Sequence, residues 1–168
     1  GASIGLVPGE GRDLVVAGYS LGGRVGWQLL VDRPVRVTRG VLGGIPDGRP
    51  LARVDIDQAR AYAERGIPVQ DRVTQNYVTL AERVPDNDLG VLVALAEGMR
   101  QGDADPDPAH PPQQPVLFAT GGDDAILEDS RALAAVAPAG EFLEIPGRHH
   151  FNTPGSRVFR DAAVGFLR

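Results

Sequence analysis

The sequence predicts an α/β architecture: a parallel sheet with helices on both faces and a helical segment inserted partway along the chain. Three observations predict it. Short, continuous apolar runs bounded by turn residues recur near both ends, as strands buried on both faces of a parallel sheet require. These runs alternate with segments of helical periodicity, the pattern of strand-helix-strand crossovers. Between Ile45 and about Gln114 the strand signals vanish and helical spacing takes over.

In order along the chain, Asp13 to Gly18 (D-L-V-V-A-G) reads as a buried strand running straight into a turn. After Ser20, Val25, Leu29 and Leu30 stand at helical spacing in Leu21 to Val31, and Pro34 stops the helix because it lacks a donor and restricts the residue before it. Val37 to Leu42, closed by Gly43-Gly44, completes a first strand-helix-strand unit. Helical candidates follow near Val54 to Glu64, Asp71 to Arg83 and Asp86 to Arg100. The Pro/Asp-rich stretch Asp103 to Gln114 has little apolar surface and is expected to be an exposed connection. A strand over Pro115 to Thr120, a helix from Glu128 to Val136, a strand over Glu141 to Ile145 and a helix from Arg157 close the chain. In that last helix Phe159, Ala162, Ala163 and Phe166 share one face. The expected organisation is thus a sheet domain from 1–45 and 115–168 interrupted by a helical insertion and connection over 46–114.

Bulk properties narrow the chemistry. With 168 residues, 42% apolar and 23% charged, the chain has the profile of a globular protein with a hydrophobic core. A net charge of −5 without a basic stripe argues against nucleic-acid or anionic-membrane partners, and a small-molecule partner fits better. No apolar run is long enough to span a bilayer and no targeting segment is visible, so the cytoplasm is the default expectation. Cysteine is absent, so covalent catalysis would have to use oxygen.

One motif stands between the first strand and its helix: Gly18-Tyr19-Ser20-Leu21-Gly22 matches Gly-x-Ser-x-Gly, the pattern of a nucleophile elbow. On so tight a turn the flanking positions need glycine, because a side chain would collide across it, and Ser20 sits in strained backbone. The turn lifts the hydroxyl above the sheet and sets the Leu21 amide at a helix N-terminus, where it can donate to a developing oxyanion. Acid candidates come next in the chain, as nucleophile-acid-base order requires. Asp123 and Asp124 both follow the strand Pro115 to Thr120, at the sheet edge where open α/β sheets place their sites. Either could instead form a turn and cap the next helix. Of three histidines, His149 and His150 lie in the loop after the last strand, where an imidazole can reach back to the serine as general base. His110, in the Pro-rich connection, is expected to be solvated. No metal site is expected, since neighbouring histidines rarely face one ion.

These residues resemble the α/β-hydrolase superfamily, specifically its members with a serine nucleophile and a helical cap inserted after the sixth strand. Gly18-Tyr19-Ser20-Leu21-Gly22-Gly23 looks like the elbow, Pro115 to Asp124 like the seventh strand and acid, and Ile145-Pro146-Gly147-Arg148-His149-His150-Phe151 like the last strand and histidine loop. In the family pattern the acid and the histidine each follow a glycine by three positions, which implies Asp124 rather than Asp123, and His150. Some members carry the acid after the sixth strand, which makes Asp47 a further alternative. The resemblance implies no cofactor.

The departure lies at the front, where the family has about four further strands and a second oxyanion donor. The expectation is therefore a partial α/β-hydrolase fold, the equivalent of strands five to eight with a cap, whose elbow strand is an exposed edge open to the missing half or to a second copy. Loss of one oxyanion donor costs about 10²–10³ in turnover, so the chain by itself is expected to be weak or inactive. The implied activity is hydrolysis of an ester-like small molecule through an acyl-enzyme. Cofactor-free perhydrolases and carbon–carbon-bond hydrolases share the triad, and a non-catalytic binding module that keeps these residues is the alternative from another class.

Overall fold

The computed structural model describes residues 5–8, 14–46, 50–100 and 106–168. The chain divides into two compact units, Gly1–Gly48 with Ala104–Arg168, and Arg49–Asp103. The first unit is built on a five-stranded sheet in the order β1-β2-β3-β4-β5. Its strands are β1 (Gly5–Pro8), β2 (Leu14–Tyr19), β3 (Val37–Gly43), β4 (Val116–Gly121) and β5 (Gly140–Ile145). Strands β2 to β5 are parallel, and α1 (Leu21–Asp32), α5 (Leu127–Val136) and α6 (Arg157–Leu167) belong to the same unit.

The elbow strand is not an open edge. β1 pairs with β2 antiparallel, Gly5 facing Ala17 and Pro8 facing Leu14. The sequence predicts no strand ahead of β2, and this pairing corrects the expected exposed edge. An antiparallel neighbour can return directly along the chain without a crossover helix, so a four-residue segment satisfies the edge that a parallel neighbour would need a dozen or more connecting residues to reach.

Central position explains burial. Every residue of β4 is buried, whereas the flanking β5 is only partly buried and exposes Glu141 and Glu144. Val16, Trp27, Leu30, Leu42, Ile45, Phe118 and Leu133 form the core between sheet and helices, with Trp27 set edge-on against Phe118 at 6.2 Å. Burial of such side chains contributes roughly 1.5–3 kcal/mol each before the entropy of ordering is counted.

The connection ahead of β4 packs more than its composition predicts. Pro106 and Pro112 are buried, and Gln114 Nε2 donates to the carbonyls of Leu30 (2.7 Å) and Val37 (3.0 Å). Proline rings can be buried with no N–H to satisfy, and the Gln114 amide supplies the donors that the end of α1 and the start of β3 lack. His110 is exposed and pairs with Asp107 at 2.6 Å.

The second unit holds a short 3-10 turn (Pro50–Arg53) and the helices α2 (Ile56–Arg65), α3 (Arg72–Glu82) and α4 (Leu89–Arg100). Asp55 and Asp71 cap α2 and α3 by accepting from the Gln58 and Thr74 amides, and Gly66 ends α2 in the left-handed region. Val54, Ile56, Ala59 and Val69 are buried, while Leu80 and Leu95 are exposed. Among the described residues no helix is long and apolar enough to cross a membrane.

Candidate active site

Three loops at the C-terminal ends of the parallel strands bring the predicted residues together. At the end of β2 the chain turns into α1 through Ser20, whose φ of 55° and ψ of −118° lie outside the regions open to most side chains. Such a backbone costs about 1–3 kcal/mol and is held only by its surroundings. Here the Ser20 amide donates to the Gly43 carbonyl at 2.8 Å, and the Ser20 carbonyl accepts the first helical bond, from Arg24 N–H at 3.2 Å. Gly18 is required by close approach. A Cβ there would lie 2.2 Å from the carbonyl oxygen of Gly22, itself buried at the start of α1. Leu21 opens α1, so its N–H belongs to the first turn, where amides find no acceptor within the helix.

After β4, the turn Gly121 to Asp124 is closed by the Asp124 N–H on the Gly121 carbonyl at 3.0 Å. Asp124 is 8% exposed and its neighbour Asp123 faces solvent. Asp124 Oδ1 accepts the Ile126 N–H at 3.2 Å, an Asx turn that leaves Oδ2 directed elsewhere. Within one carboxylate, one oxygen thus closes the turn and the other faces His150, while the N-cap position of α5, Ile126, makes no side-chain cap bond.

The loop after β5 is tied to this turn by the Asp123 N–H on the Arg148 carbonyl at 2.9 Å. It is also bonded to itself. The His149 carbonyl accepts from the Asn152 and Thr153 amides and from Thr153 Oγ1, and the His149 N–H donates to Asn152 Oδ1 at 2.8 Å. His149 is exposed and its Nδ1 accepts from the Phe151 amide. His150 turns inward. Its Nδ1 lies 2.9 Å from Asp124 Oδ2 and its Nε2 lies 3.0 Å from Ser20 Oγ.

The proton positions follow from the partners. An ionised carboxylate only accepts, so Nδ1 carries the hydrogen, and in the neutral ring Nε2 is then the acceptor for the serine hydroxyl. Residues separated by 130 positions along the chain thus form one hydrogen-bonded line. Asp47, the alternative acid, lies outside the described residues. Among the described residues no group of three or more His, Cys, Asp or Glu is arranged to hold a metal ion.

Sequence reasoning missed the groups around this line. Tyr19 lies with its ring 5.4 Å from that of His150, and Phe159 of α6 meets Tyr19 edge-on at 5.7 Å. Ser130 Oγ of α5 donates to the Ile45 carbonyl just beyond β3. The signal for Tyr19 was the pair Gly43-Gly44, read above as a strand boundary, and Phe159 was legible only as part of the apolar face of the last helix.

Solved structures share this arrangement of sheet and helices, α/β hydrolases among them, and the chain has part of the α/β-hydrolase fold. It is similar to the enol-lactonase from Burkholderia xenovorans, with 22% identity and a TM-score of 0.66 over 93% of this chain and 66% of that one. It is likewise similar to a thermophilic esterase from Thermogutta terrifontis (21%, TM-score 0.61, 93% and 65%). A third is a carboxylesterase from Nitrososphaera gargenis (14%, TM-score 0.67, 93% and 65%). The chain therefore spans about two thirds of the length of the structures it matches. No family model matches the sequence, and no curated protein does.

Proposed function

We propose that this chain carries the catalytic residues of a serine hydrolase acting on an ester-like small molecule. The observation that carries the reading is the unbroken line from Ser20 Oγ through His150 to the buried Asp124, starting at a serine in strained backbone. Ser20 is the nucleophile, His150 the general base and Asp124 the group that holds the imidazole in its tautomer. The names of the similar structures, a lactonase and two esterases, support the same class.

In the first step Ser20 Oγ bonds to the carbonyl carbon while its proton passes to His150 Nε2. The carbonyl electron pair moves onto oxygen, and the Leu21 amide donates to the resulting oxyanion. Asp124 stabilises the imidazolium across the 2.9 Å contact. Collapse breaks the acyl–oxygen bond, and the departing alkoxide takes the proton from Nε2. Water then gives a proton to Nε2 and attacks the acyl carbon; the acyl–Oγ bond breaks and Oγ takes that proton back from Nε2, releasing the acid and restoring Ser20 and His150.

The test is intact-mass spectrometry of the chain and its Ser20→Ala variant after treatment with a fluorophosphonate, which labels an activated serine. One adduct on the parent and none on the variant is the expected result. A folded parent that takes up no label would overturn the catalytic reading and leave a binding module of the same fold.

A further inference from the structure

Hydrogen bonds at Nδ1 and Nε2 leave the His150 ring free to tilt about the line that joins them. His150 also arrives on a loop between β5 and α6, whereas Ser20 is fixed to the sheet. Something must hold the ring's tilt if the Nε2 lone pair is to stay aimed at Oγ. Two rings touch it. Phe151 meets it at 5.3 Å but belongs to the same loop and moves with it. Tyr19 meets it at 5.4 Å, tilted by 50°, and is the last residue of β2, next to Ser20 itself.

Tyr19 is in turn confined. A Cβ on Gly43 would lie 2.4 Å from Tyr19 Cδ2 and 2.8 Å from Phe159 Cε2, and one on Gly44, at φ +54°, would lie 2.6 Å from Tyr19 Cζ. The two glycines at the end of β3 therefore make the space that the tyrosine ring fills. Phe159 closes that space edge-on at 5.7 Å, from the first turn of α6. α6 is anchored at its other end, where Arg39 of β3 donates to the Phe166 carbonyl at 2.6 Å and lies over the Phe166 ring at 5.5 Å. A continuous line of packed groups runs from the C-terminal helix through Phe159 and Tyr19 to the imidazole.

We infer that Tyr19, backed by Phe159, is a positioning residue that sets the tilt of His150 and so couples α6 to the reactivity of Ser20. The inference rests on the proposed hydrolase reading for its kinetic consequence, but the ring geometry stands apart from it. Aromatic rings in contact prefer particular mutual orientations, so the tilted Tyr19 ring, held edge-on by Phe159, biases one orientation of the imidazole. The hydroxyl of Tyr19 has no part in this role. Misplacing a catalytic group by about 1 Å can cost 10²-fold, so small losses of tilt control are readable.

The experiment compares the parent with Tyr19→Phe, Tyr19→Leu and Phe159→Ala by two readouts. One is the low-field proton NMR signal of the His150 Nδ1–H, identified by its loss in His150→Gln. The other is fluorophosphonate labelling, resolved into its maximal rate and its half-saturating concentration. Tyr19→Phe should keep the NMR signal and label within about twofold of the parent. Tyr19→Leu and Phe159→Ala should broaden or lose the signal and label about tenfold to a hundredfold more slowly at saturation, with the half-saturating concentration unchanged. Phe159 is not a member of the buried core cluster, so Phe159→Ala carries the test if Tyr19→Leu does not fold. A folded Tyr19→Leu or Phe159→Ala that keeps both readouts overturns the inference, as does a Tyr19→Phe that falls as far as Tyr19→Leu. Altered NMR signals in a series whose parent takes no label uphold the positioning while the hydrolase reading fails.

Discussion

Asp123 and Asp124 are adjacent and chemically alike, and backbone direction alone separates them. The turn after β4 sends the Asp123 side chain to solvent and folds Asp124 under it, between the Ile126 amide and His150 Nδ1. Replacing Asp124 with asparagine keeps the shape but lets an amide face Nδ1, which favours the tautomer with its hydrogen on Nε2. That tautomer cannot accept the serine proton. Asp124→Asn should therefore slow fluorophosphonate labelling by about 10⁴, while Asp123→Asn and Asp47→Ala stay within a few-fold of the parent. Loss of labelling in Asp47→Ala with Asp124→Asn spared would move the acid to the earlier position.

The helices of the second unit start in a way that gives them a pH dependence. The Gln58 backbone and side-chain amides hold the Asp55 carboxyl below its usual range, and the Thr74 hydroxyl and amide do the same for Asp71. Both groups are lowered in the folded chain, so folding favours their ionised form. That contribution is fully present above the unfolded carboxylate range near pH 4 and is lost as pH falls through the lower folded values. Thermal melts followed by far-UV circular dichroism should show a decline in stability between about pH 5 and pH 3. The effect is small because the caps face water. Asp55→Asn and Asp71→Asn keep a capping oxygen that does not titrate, so the double variant should flatten that decline. These caps were not part of the sequence reading, although the helices behind them were: spacing of Ile56, Ala59 and their neighbours is a local signal, and α2, α3 and α4 appear within a few residues of their expected bounds.

At the scale of the whole molecule, the site exists only as a consequence of the sheet. Ser20, Asp124 and His150 come from three loops, and no short segment contains two of them. Labelling of Ser20 should therefore vanish over the same urea range in which the fluorescence of Trp27, the single tryptophan and a core residue, shifts to that of the exposed ring. Labelling that persisted past that transition would show a serine reactive without the fold. The sequence by itself determined much of this. Apolar runs and Pro and Gly punctuation are local, so β2 to β5 and the six helices were legible; the elbow motif and the chain order pointed to Ser20, to Asp123 or Asp124 and to His149 or His150, and the resemblance to the α/β-hydrolase superfamily implied Asp124 and His150. Only the tertiary structure decided that these three side chains lie within hydrogen-bond reach of one another, because distance across 130 residues is written in no local pattern. It also decided that β1 covers the edge of β2, since four residues of weak signal form a strand only when a partner supplies the ladder, and that Gly43 and Gly44 clear the space for Tyr19. A glycine pair looks the same in sequence whether it ends a strand or makes room for a ring, and packing alone tells the two apart.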